Sequence, residues 1–313
     1  MKPVRSSFSM KNVWLAVLIL LAACVLVWFT RRSYRDPVVT EITIESSKVT
    51  DSVRFVYIAD LHENVFGENN RQFYDQLKEL DPDFILIGGD IINWTSENDE
   101  YAVEVIGELA GFSDVYFSIG NHEIEYLHLR REVDFSGLDR NDSSLTLANT
   151  DENGFIRRIE RAGATILQKS WIDMEINGTK LRIGGAYEGL FSLNPDNPKD
   201  TMLQGMYAFL TDFQDTDSLK LFMTHRPYSF LYGNGSSLWD IDVVMCGHEH
   251  AGQVILPFLG GLYSRERGFF PEYTHGIFDF GGTTLIVTSG IGSDTELLPR
   301  FNNPPEIVLV TIK

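Results

Sequence analysis

The sequence holds only two cysteines among its 313 residues, Cys24 and Cys246. So few thiols exclude a scaffold held by several disulfides and a zinc or iron–sulfur site built from cysteine. Basic residues are also scarce, because 26 Lys and Arg oppose 44 Asp and Glu. Six of the basic residues lie in residues 1–35, which contain no acid, so residues 36–313 carry a balance of −24. Such an acidic surface repels nucleic acid, and we expect no nucleic-acid partner.

Long apolar runs are rare as well, and a hydrophobic content of 43% is too low for a polytopic membrane protein. One run stands out, since Asn12–Thr30 holds 19 residues without a charge. A helix of that length just spans a hydrocarbon core about 30 Å thick, which predicts a single N-terminal transmembrane helix. A cleaved signal peptide is one alternative, and a lipoprotein acylated at Cys24 is another. Three basic residues lie on each side of the run, so the positive-inside rule gives no orientation.

After this segment, apolar runs of strand length alternate with amphipathic stretches. The runs are apolar nearly throughout, which is typical of strands buried on both faces. They are Val53–Ala59, Phe84–Ile87, Val115–Ile119, Leu219–Thr224 and Ile241–Cys246. The amphipathic stretches predict helices at Asn69–Leu80, Tyr101–Ala110 and Gly154–Ala162. The alternation of strand and helix predicts a layered α/β domain.

The second half of the chain has a different pattern. Trp171–Ile176 and Lys180–Gly184 flank Asn177-Gly178, a strong hairpin signal. Further apolar runs predict a second sheet formed as an antiparallel meander, at Val254–Leu256, Gly276–Phe280, Thr284–Thr288 and Glu306–Thr311. Two polar, turn-rich segments, 139–152 and 194–204, are expected to be surface loops.

Each of the five buried runs is followed directly by polar side chains that bind metals. These are Asp60 and His62, then Asp90, then Asn121 and His122, then His225, then His248 and His250. Ligands of α/β sheets gather at the carboxyl ends of the strands, so we expect these residues to share one site. Glycines at 89, 120 and 247 allow tight turns just before a ligand.

The residue types indicate which metals fit. Carboxylate, imidazole and amide oxygen suit Mn²⁺, Fe²⁺/Fe³⁺ or Zn²⁺ better than Ca²⁺ or Cu⁺. Even without His122, seven such groups are too many for one ion but fit two ions sharing a bridging carboxylate. Two ions in that arrangement can hold the attacking and leaving oxygens of a phosphate.

In order along the chain, these motifs resemble the five motifs of the calcineurin-like metallophosphoesterases. The motifs are Asp60-Leu61-His62, Gly89-Asp90, Gly120-Asn121-His122-Glu123, His225 and Gly247-His248-Glu249-His250. The closing segment Pro299–Ile307 is similar to that of the membrane-linked bacterial subgroup. The resemblance implies a four-layer α/β/β/α sandwich with two mixed sheets, preceded by the transmembrane helix. It divides the chain into an anchor (1–35), a linker with a first strand (36–50) and the metallophosphoesterase domain (51–313).

The resemblance also implies a role for each motif residue. One ion would be held by Asp60, His62, Asp90 and His250. The other would be held by Asp90, as the bridging ligand, with Asn121, His225 and His248. A hydroxide between the ions would be the nucleophile, and His122 would stabilise the phosphoryl charge or protonate the leaving oxygen.

Several neighbouring residues have alternative roles. Arg226 and Arg300 are candidate substrate contacts, with structural ion pairing as the alternative. Glu123 would either orient His122 or form a surface salt bridge. Glu249 and Ala251 depart from the subgroup's usual Thr and Gly, and residues 124–153 form a longer insertion than expected.

Together these features predict a membrane-anchored, dinuclear phosphohydrolase that cleaves a phosphodiester or a pyrophosphate. The anchor and the subgroup resemblance favour a small or lipid-linked substrate, on the outer face of a bacterial cytoplasmic membrane, with no protein partner implied. A metal-dependent nuclease is the enzymatic alternative, and the acidic charge argues against it. A scaffold without catalysis is the other alternative, although the sequence retains every expected ligand.

Overall fold

A computed structural model describes residues 10–35, 37–130, 153–187, 201–232, 234–293 and 298–313. Its first element is helix α1 (Met10–Arg35), which is long and apolar enough to cross a membrane. None of the most apolar part of α1 is buried against the rest of the protein. The predicted insertion at 139–152 lies outside the described residues.

The first sheet contains six strands in the order β1-β16-β2-β3-β4-β5. Strands β2 to β5 run parallel, β16 is antiparallel to β2, and β1 is parallel to β16. Their bounds are Val38–Ile44 (β1), Val53–Ile58 (β2), Phe84–Ile87 (β3), Asp114–Phe117 (β4), Ala164–Ile166 (β5) and Glu306–Ile312 (β16). The first and last strands of the domain therefore pair with each other at one side of this sheet.

The second sheet also contains six strands, in the order β14-β15-β9-β8-β7-β6. Their bounds are Ser170–Ile176 (β6), Thr179–Gly185 (β7), Leu219–Met223 (β8), Val243–Cys246 (β9), Gly276–Asp279 (β14) and Thr284–Val287 (β15). Pairing is parallel from β7 through β8 and β9 to β15, and antiparallel only at the two edges. The antiparallel meander expected for the second half is therefore wrong, and β16 belongs to the first sheet.

Short elements fill the stretch between β9 and β14. A 3₁₀ turn (His250–Gly252) follows β9, and two small hairpins come after it. The hairpin strands are Ile255–Leu256 (β10), Gly260–Gly261 (β11), Tyr263–Ser264 (β12) and Gly268–Phe269 (β13).

The helices cover the outer faces of the two sheets. They are Arg71–Glu79 (α2), Glu100–Ala110 (α3), Asn121–Arg130 (α4), Phe155–Ala162 (α5), Thr201–Gln214 (α6), Pro227–Tyr232 (α7) and Gly235–Leu238 (α8). The sequence predicted α2, α3 and α5 to within two residues at each end. It missed α4 and α6, and α6 begins inside the segment 194–204 that was expected to be a loop.

Three hydrophobic cores separate the four layers. In β2, Phe55 and Tyr57 face the second sheet, where they pack with Leu221 and Met245 in a shared core. The alternate residues of β2 face α2, α3 and α5, as expected for a strand with period two. A third core lies between the second sheet and the segment of α6 around Phe213. The predicted α/β/β/α sandwich is confirmed.

The last turn of α1 contacts the domain. Ser33 is buried, and its hydroxyl accepts a hydrogen bond from the backbone N–H of Asn303. The phenol oxygen of Tyr34 accepts another from the backbone N–H of Arg300, and the rings of Phe29 and Phe301 lie 5.5 Å apart. These contacts join the apolar helix to the segment that follows residue 298.

Candidate metal centre

The carboxyl ends of β2, β3, β8 and β9 meet where the edges of the two sheets come together. The backbone N–H of His248, after β9, lies 3.0 Å from each carboxylate oxygen of Asp60, after β2. Nδ1 of His225, after β8, lies 2.8 Å from the carbonyl oxygen of Gly88, after β3. Hydrogen bonds between the sheets thus bring the polar ends of the strands to one place, as the strand pattern predicted.

A first group of candidate ligands contains Asp60, His62 and His250. Each offers one ligand atom, and the three atoms lie within 4.8 Å of one another. All three residues are buried. A carboxylate with two imidazoles is a donor set that suits Mn²⁺, iron or Zn²⁺.

A second group contains Asp90, His225 and His248, again with ligand atoms within 4.8 Å. Asp90 Oδ2 lies 3.0 Å from Nε2 of His225 and 3.8 Å from Nε2 of His62. Asp90 is therefore placed between the two groups, where a bridging carboxylate would have to lie.

Asn121 and His122 begin helix α4 and line the same pocket as Asp90. The side-chain oxygen of Asn121 is buried without a hydrogen-bond partner among the described residues. His122 Nε2 lies 3.9 Å from Asp90 Oδ2, and its backbone N–H donates to Asp90 Oδ1. The structure therefore brings together all eight residues for which the sequence predicted a ligand or catalytic role.

The hydrogen bonds of two histidines fix which nitrogen faces the site. The carbonyl of Gly88 can only accept, so His225 donates from Nδ1, and in its neutral form it presents the lone pair of Nε2. His62 Nδ1 lies 3.0 Å from Oδ1 of Asn93, whose amide group donates to the backbone oxygen of His62. His62 therefore also presents the lone pair of Nε2. Partners of this kind orient metal-binding imidazoles, and sequence reasoning missed Asn93 because it lies outside the motifs.

Much of the candidate ligand set has a strained backbone. The φ angles are positive at Asp60 (55°), His62 (46°), Asp90 (55°), His248 (69°) and His250 (46°). Left-handed backbone costs about 1–2 kcal/mol per residue outside glycine. Strain of this kind persists where the surrounding structure imposes it, and it clusters at functional sites.

Two glycines permit the close approach of backbone and carboxylates. A Cβ at Gly120 would lie 2.2 Å from Oδ1 of Asp90, and one at Gly247 would lie 2.4 Å from Oδ2 of Asp60. Any side chain at either position would displace a candidate ligand. The close approach predicted for these two glycines is confirmed.

Glu123 has a role that the sequence did not indicate. Its carboxylate is fully buried and accepts hydrogen bonds from the backbone N–H groups of Asp90, Ile91 and Gly120, at 2.7–2.8 Å. Both expectations for this residue are therefore wrong, since no surface salt bridge forms and the contact is with backbone rather than with His122. Glu123 instead holds the loop after β3 against the start of α4.

Buried negative charge dominates the electrostatics of the site. Burial raises the pKa of Asp60 to about 7, and the nearby charge of Asp90 acts in the same direction. Burial, together with Asp90, also raises the pKa of Glu123 to about 7. Burial lowers the pKa of His62 to about 3 and that of His248 to about 4. Burial also lowers the pKa of His225, but the charge of Asp90 outweighs burial and raises it to about 9. The neutral imidazoles of His62 and His248 suit bound cations directly, whereas a cation at His225 would displace the proton that Asp90 stabilises.

The two departures from the subgroup motif both lie against the site. Glu249 is 5% exposed, and burial raises its pKa to about 7. Ala251 adopts φ 51° and ψ 28°, in the left-handed region. An alanine therefore occupies a backbone conformation that glycine would adopt without strain.

Neither candidate arginine is placed in the pocket. Arg300 is fully buried, and its guanidinium donates to the backbone carbonyls of Ser289, Gly292, Asn303 and Pro304. The expectation that Arg300 contacts substrate is wrong, because its hydrogen bonds hold the C-terminal segment in place. Arg226 lies with Nε 3.5 Å from Glu266, whose carboxylate is 3.3 Å from Nε2 of His248.

The donor set fits metal ions. Several buried nitrogen and oxygen atoms of the candidate ligands have no hydrogen-bond partner among the described residues. They are His62 Nε2, Asn121 Oδ1 and His250 Nδ1. Leaving buried polar atoms unpaired costs about 1–3 kcal/mol each, and ions bound at this place would give these atoms partners.

Comparison with known proteins agrees with this geometry. The family model for calcineurin-like phosphoesterases matches residues 53–252, which include every candidate ligand. The chain belongs to this family. It is accordingly a metallophosphoesterase, a hydrolase that acts on phosphoric ester bonds.

Several curated relatives are bacterial metallophosphoesterases. Metallophosphoesterase Cj0846 of Campylobacter jejuni is 26% identical over 99% of this chain and 71% of its own length. YkuE of Bacillus subtilis is 24% identical over 88% of this chain and 85% of its own length. Phosphodiesterase YaeI of Escherichia coli is 24% identical over 83% of this chain and 82% of its own length. The resemblance to the subgroup that includes YkuE and YaeI is therefore confirmed.

Proposed function

We propose that this metallophosphoesterase hydrolyses a phosphodiester or a pyrophosphate with two divalent ions bound at the carboxyl ends of its strands. Asp60, His62, Asp90 and His250 would hold one ion. Asp90, Asn121, His225 and His248 would hold the other. The observation that carries the proposal is the position of Asp90, whose Oδ2 lies between imidazole nitrogens of the two groups. Mn²⁺, iron or Zn²⁺ fits these donors.

The two ions, once bound, would supply a hydroxide nucleophile from water at neutral pH and Lewis-acid stabilisation of the phosphate oxygens. The residues of the chain supply orientation. Asn93 and the carbonyl of Gly88 fix the imidazoles of His62 and His225, and Glu123 fixes the backbone that carries Asp90.

His122 would act on the substrate. The backbone N–H of Trp94 donates to Nδ1 of His122, so in the neutral imidazole the proton is on Nε2. Nε2 faces the pocket beside Asp90, where it can donate to a phosphoryl oxygen or protonate the leaving oxygen.

The membrane setting of the reaction rests on α1. We infer that α1 crosses the bilayer once and that the catalytic domain lies on the outer face, where it meets a small or lipid-linked phosphate ester. The contacts of Ser33, Tyr34 and Phe29 support a position of the domain close to the membrane, because they hold it directly against the end of the apolar helix. Two reporter enzymes fused after Lys313, one active only in the cytoplasm and one active only outside it, test the orientation. Activity of the cytoplasmic reporter alone would overturn the outer-face assignment.

Hydrolysis of a generic diester tests the reaction. The full chain in detergent with Mn²⁺ should turn over bis-p-nitrophenyl phosphate, and faster than it turns over mono-p-nitrophenyl phosphate. Asp90→Asn should abolish turnover, whereas Asp114→Asn, on the exposed start of β4, should leave it unchanged. Equal loss in both variants, or none in Asp90→Asn, would contradict the proposal.

A further inference from the structure

Four large apolar side chains are exposed on the two small hairpins formed by β10 to β13. Phe258 and Leu259 form the turn between β10 and β11, and they are 107% and 63% exposed relative to an extended chain. Phe269 and Phe270, at the end of the second hairpin, are 70% and 52% exposed. We call these four residues the apolar rim. Large exposed apolar side chains within one short stretch of chain mark a candidate place for another apolar surface to bind.

The apolar rim is connected to the end of α1. The first hairpin begins at β10, where the backbone N–H of Ile255 donates to the carbonyl of Phe301 at 3.1 Å. Phe301 also packs its ring against Phe29 of α1. Phe258 is three residues beyond Ile255, so it lies within about 10 Å of that contact at strand spacing.

The end of α1 marks where the surface of a bilayer would be. Trp28 is exposed, and the guanidinium of Arg32 lies 5.5 Å from the centroid of its ring. Trp and Arg concentrate at the boundary between hydrocarbon and headgroups. Phe29 follows Trp28 directly, so the contact with Phe301 lies at this boundary when α1 crosses the membrane.

The apolar rim also borders the metal centre. Tyr263, Ser264 and Arg265, from the second hairpin, line the pocket that contains His248 and His250. The ring of Tyr263 packs against Phe269 of the rim, with 5.3 Å between centroids. One wall of the pocket is thus continuous with the exposed aromatic surface.

Charge favours the same orientation. Residues 36–313 carry a balance of −24, yet the exposed second hairpin turn, Arg265-Glu266-Arg267, carries a balance of +1. Arg31, Arg32 and Arg35 lie in the last turns of α1. Basic residues beside a membrane-inserted surface are attracted to anionic lipid headgroups.

We propose that the apolar rim inserts into the headgroup region of the bilayer that α1 crosses, so that the pocket of the metal centre opens onto the membrane surface. The occupant of this surface is the lipid bilayer itself. The phosphate of a lipid headgroup or lipid-linked substrate then reaches the pocket without leaving the membrane. This inference rests on the proposed spanning by α1 and deepens the proposed choice of substrate.

Depth-dependent fluorescence quenching tests the inference on the full chain. The protein is reconstituted in vesicles of phosphatidylethanolamine and phosphatidylglycerol, with and without lipids that carry a nitroxide at the headgroup or in the acyl chain. A polarity-sensitive dye is attached at Leu259→Cys in a Cys24→Ser background, since Cys246 is fully buried. The control label is at Lys180→Cys, exposed on the hairpin at the opposite end of the second sheet.

Headgroup nitroxides should quench the dye at 259 severalfold more strongly than the dye at 180. Adding Phe258→Asn should reduce that quenching, and asparagine tolerates the positive φ of 69° at this position. Equal quenching at 259 and 180 would overturn the inference. Self-quenching at 259 that rises with the ratio of protein to lipid, without lipid quenching, would assign the surface to a second copy and also overturn it.

Two further measurements separate this inference from the proposals on which it rests. A dye on the native Cys24 should be quenched by acyl-chain nitroxides if α1 spans the membrane. Absence of this quenching would overturn both the spanning by α1 and the insertion of the apolar rim. Hydrolysis of bis-p-nitrophenyl phosphate by the labelled variants should equal that of the wild type. Activity without quenching at 259 would therefore disprove the docking surface while leaving the hydrolase intact.

Discussion

The backbone N–H of Trp94 donates a hydrogen bond of 3.1 Å to Nδ1 of His122. A backbone N–H cannot accept, so this single contact selects the tautomer with its proton on Nε2, the nitrogen that faces Asp90 and the pocket. This tautomer suits the proposed role of His122, which is to donate to a substrate from Nε2, and it leaves Nδ1 engaged by Trp94.

The first prediction concerns His122. His122→Ala should lower kcat for bis-p-nitrophenyl phosphate by about 10²–10⁴-fold, the range for loss of a positioned proton donor. The metal content should stay that of the wild type, because His122 is not among the proposed ligands. Metal analysis beside steady-state kinetics checks both expectations, and a variant that loses its metal would show that His122 is a ligand instead. His128→Ala, on the same helix, is the matched control.

Glu123→Gln should weaken the loop that carries Asp90. Its carboxylate accepts hydrogen bonds from the backbone N–H groups of Asp90, Ile91 and Gly120. In glutamine, an NH₂ group replaces one carboxylate oxygen, so at least one of these N–H groups would face another donor and lose its acceptor. We expect a loss of about 1–3 kcal/mol in the free energy of unfolding and a 10–100-fold loss in metal affinity. Glu125→Gln makes the same chemical change at an exposed position of α4 and should change neither quantity.

The contacts of Glu123 could not be predicted from the sequence, although much of the fold and site could. The strands, their burial on both faces and the convergence of eight side chains follow from apolar runs and from the residues just after them. The partners of Glu123, Asn93 and Arg300 do not, because a buried side chain that bonds to backbone leaves no pattern in the sequence. The second sheet was misjudged for a similar reason, since β16 pairs with β1 and β2 across most of the chain length.

Stability at low pH should depend on Glu306. Burial alone would raise the pKa of this carboxyl, but hydrogen bonds from His275, Thr40 and the backbone of Ser289 outweigh burial and lower it from 4.5 to about 2. A lowered pKa stabilises the fold above pH 4.5, and this stabilisation is lost as the pH falls toward 2. The shift corresponds to about 3 kcal/mol.

Thermal unfolding of Glu306→Gln against wild type as a function of pH measures this contribution. The difference between the two should be largest above pH 4.5 and should shrink toward pH 2. At higher pH the difference between the two proteins depends on His275. Burial lowers the pKa of His275, but Glu306 outweighs burial and raises it above 6.5. The stabilisation from this pair is therefore present below pH 6.5 and fades as the pH rises through the raised pKa. Glu45→Gln, at an exposed carboxyl, should show no such pH-dependent difference. A constant difference for Glu306→Gln across pH would disprove the assignment.

Ala251→Gly should stabilise the protein. The backbone at 251 lies in the left-handed region, which an alanine occupies at a cost of about 1 kcal/mol and a glycine occupies without strain. We expect a rise in the unfolding midpoint of about 2–4 °C per kcal/mol for a domain of this size. Ala208→Gly, exposed in the middle of α6, should do the opposite, because glycine destabilises a helix interior by about 1 kcal/mol. Destabilisation in both variants would show that the side chain of Ala251 contributes packing that exceeds the strain.

The central claim is that the carboxyl ends of the strands hold two ions that share Asp90. Metal content per chain, measured by mass spectrometry after equilibration with Mn²⁺, tests this claim most directly, in wild type and in variants of each ligand group. We predict about two ions in wild type, about one in His250→Ala and in His225→Ala, and fewer than one in Asp90→Ala. A wild-type chain that folds but binds no ion, or an Asp90→Ala variant that keeps both, would contradict the account.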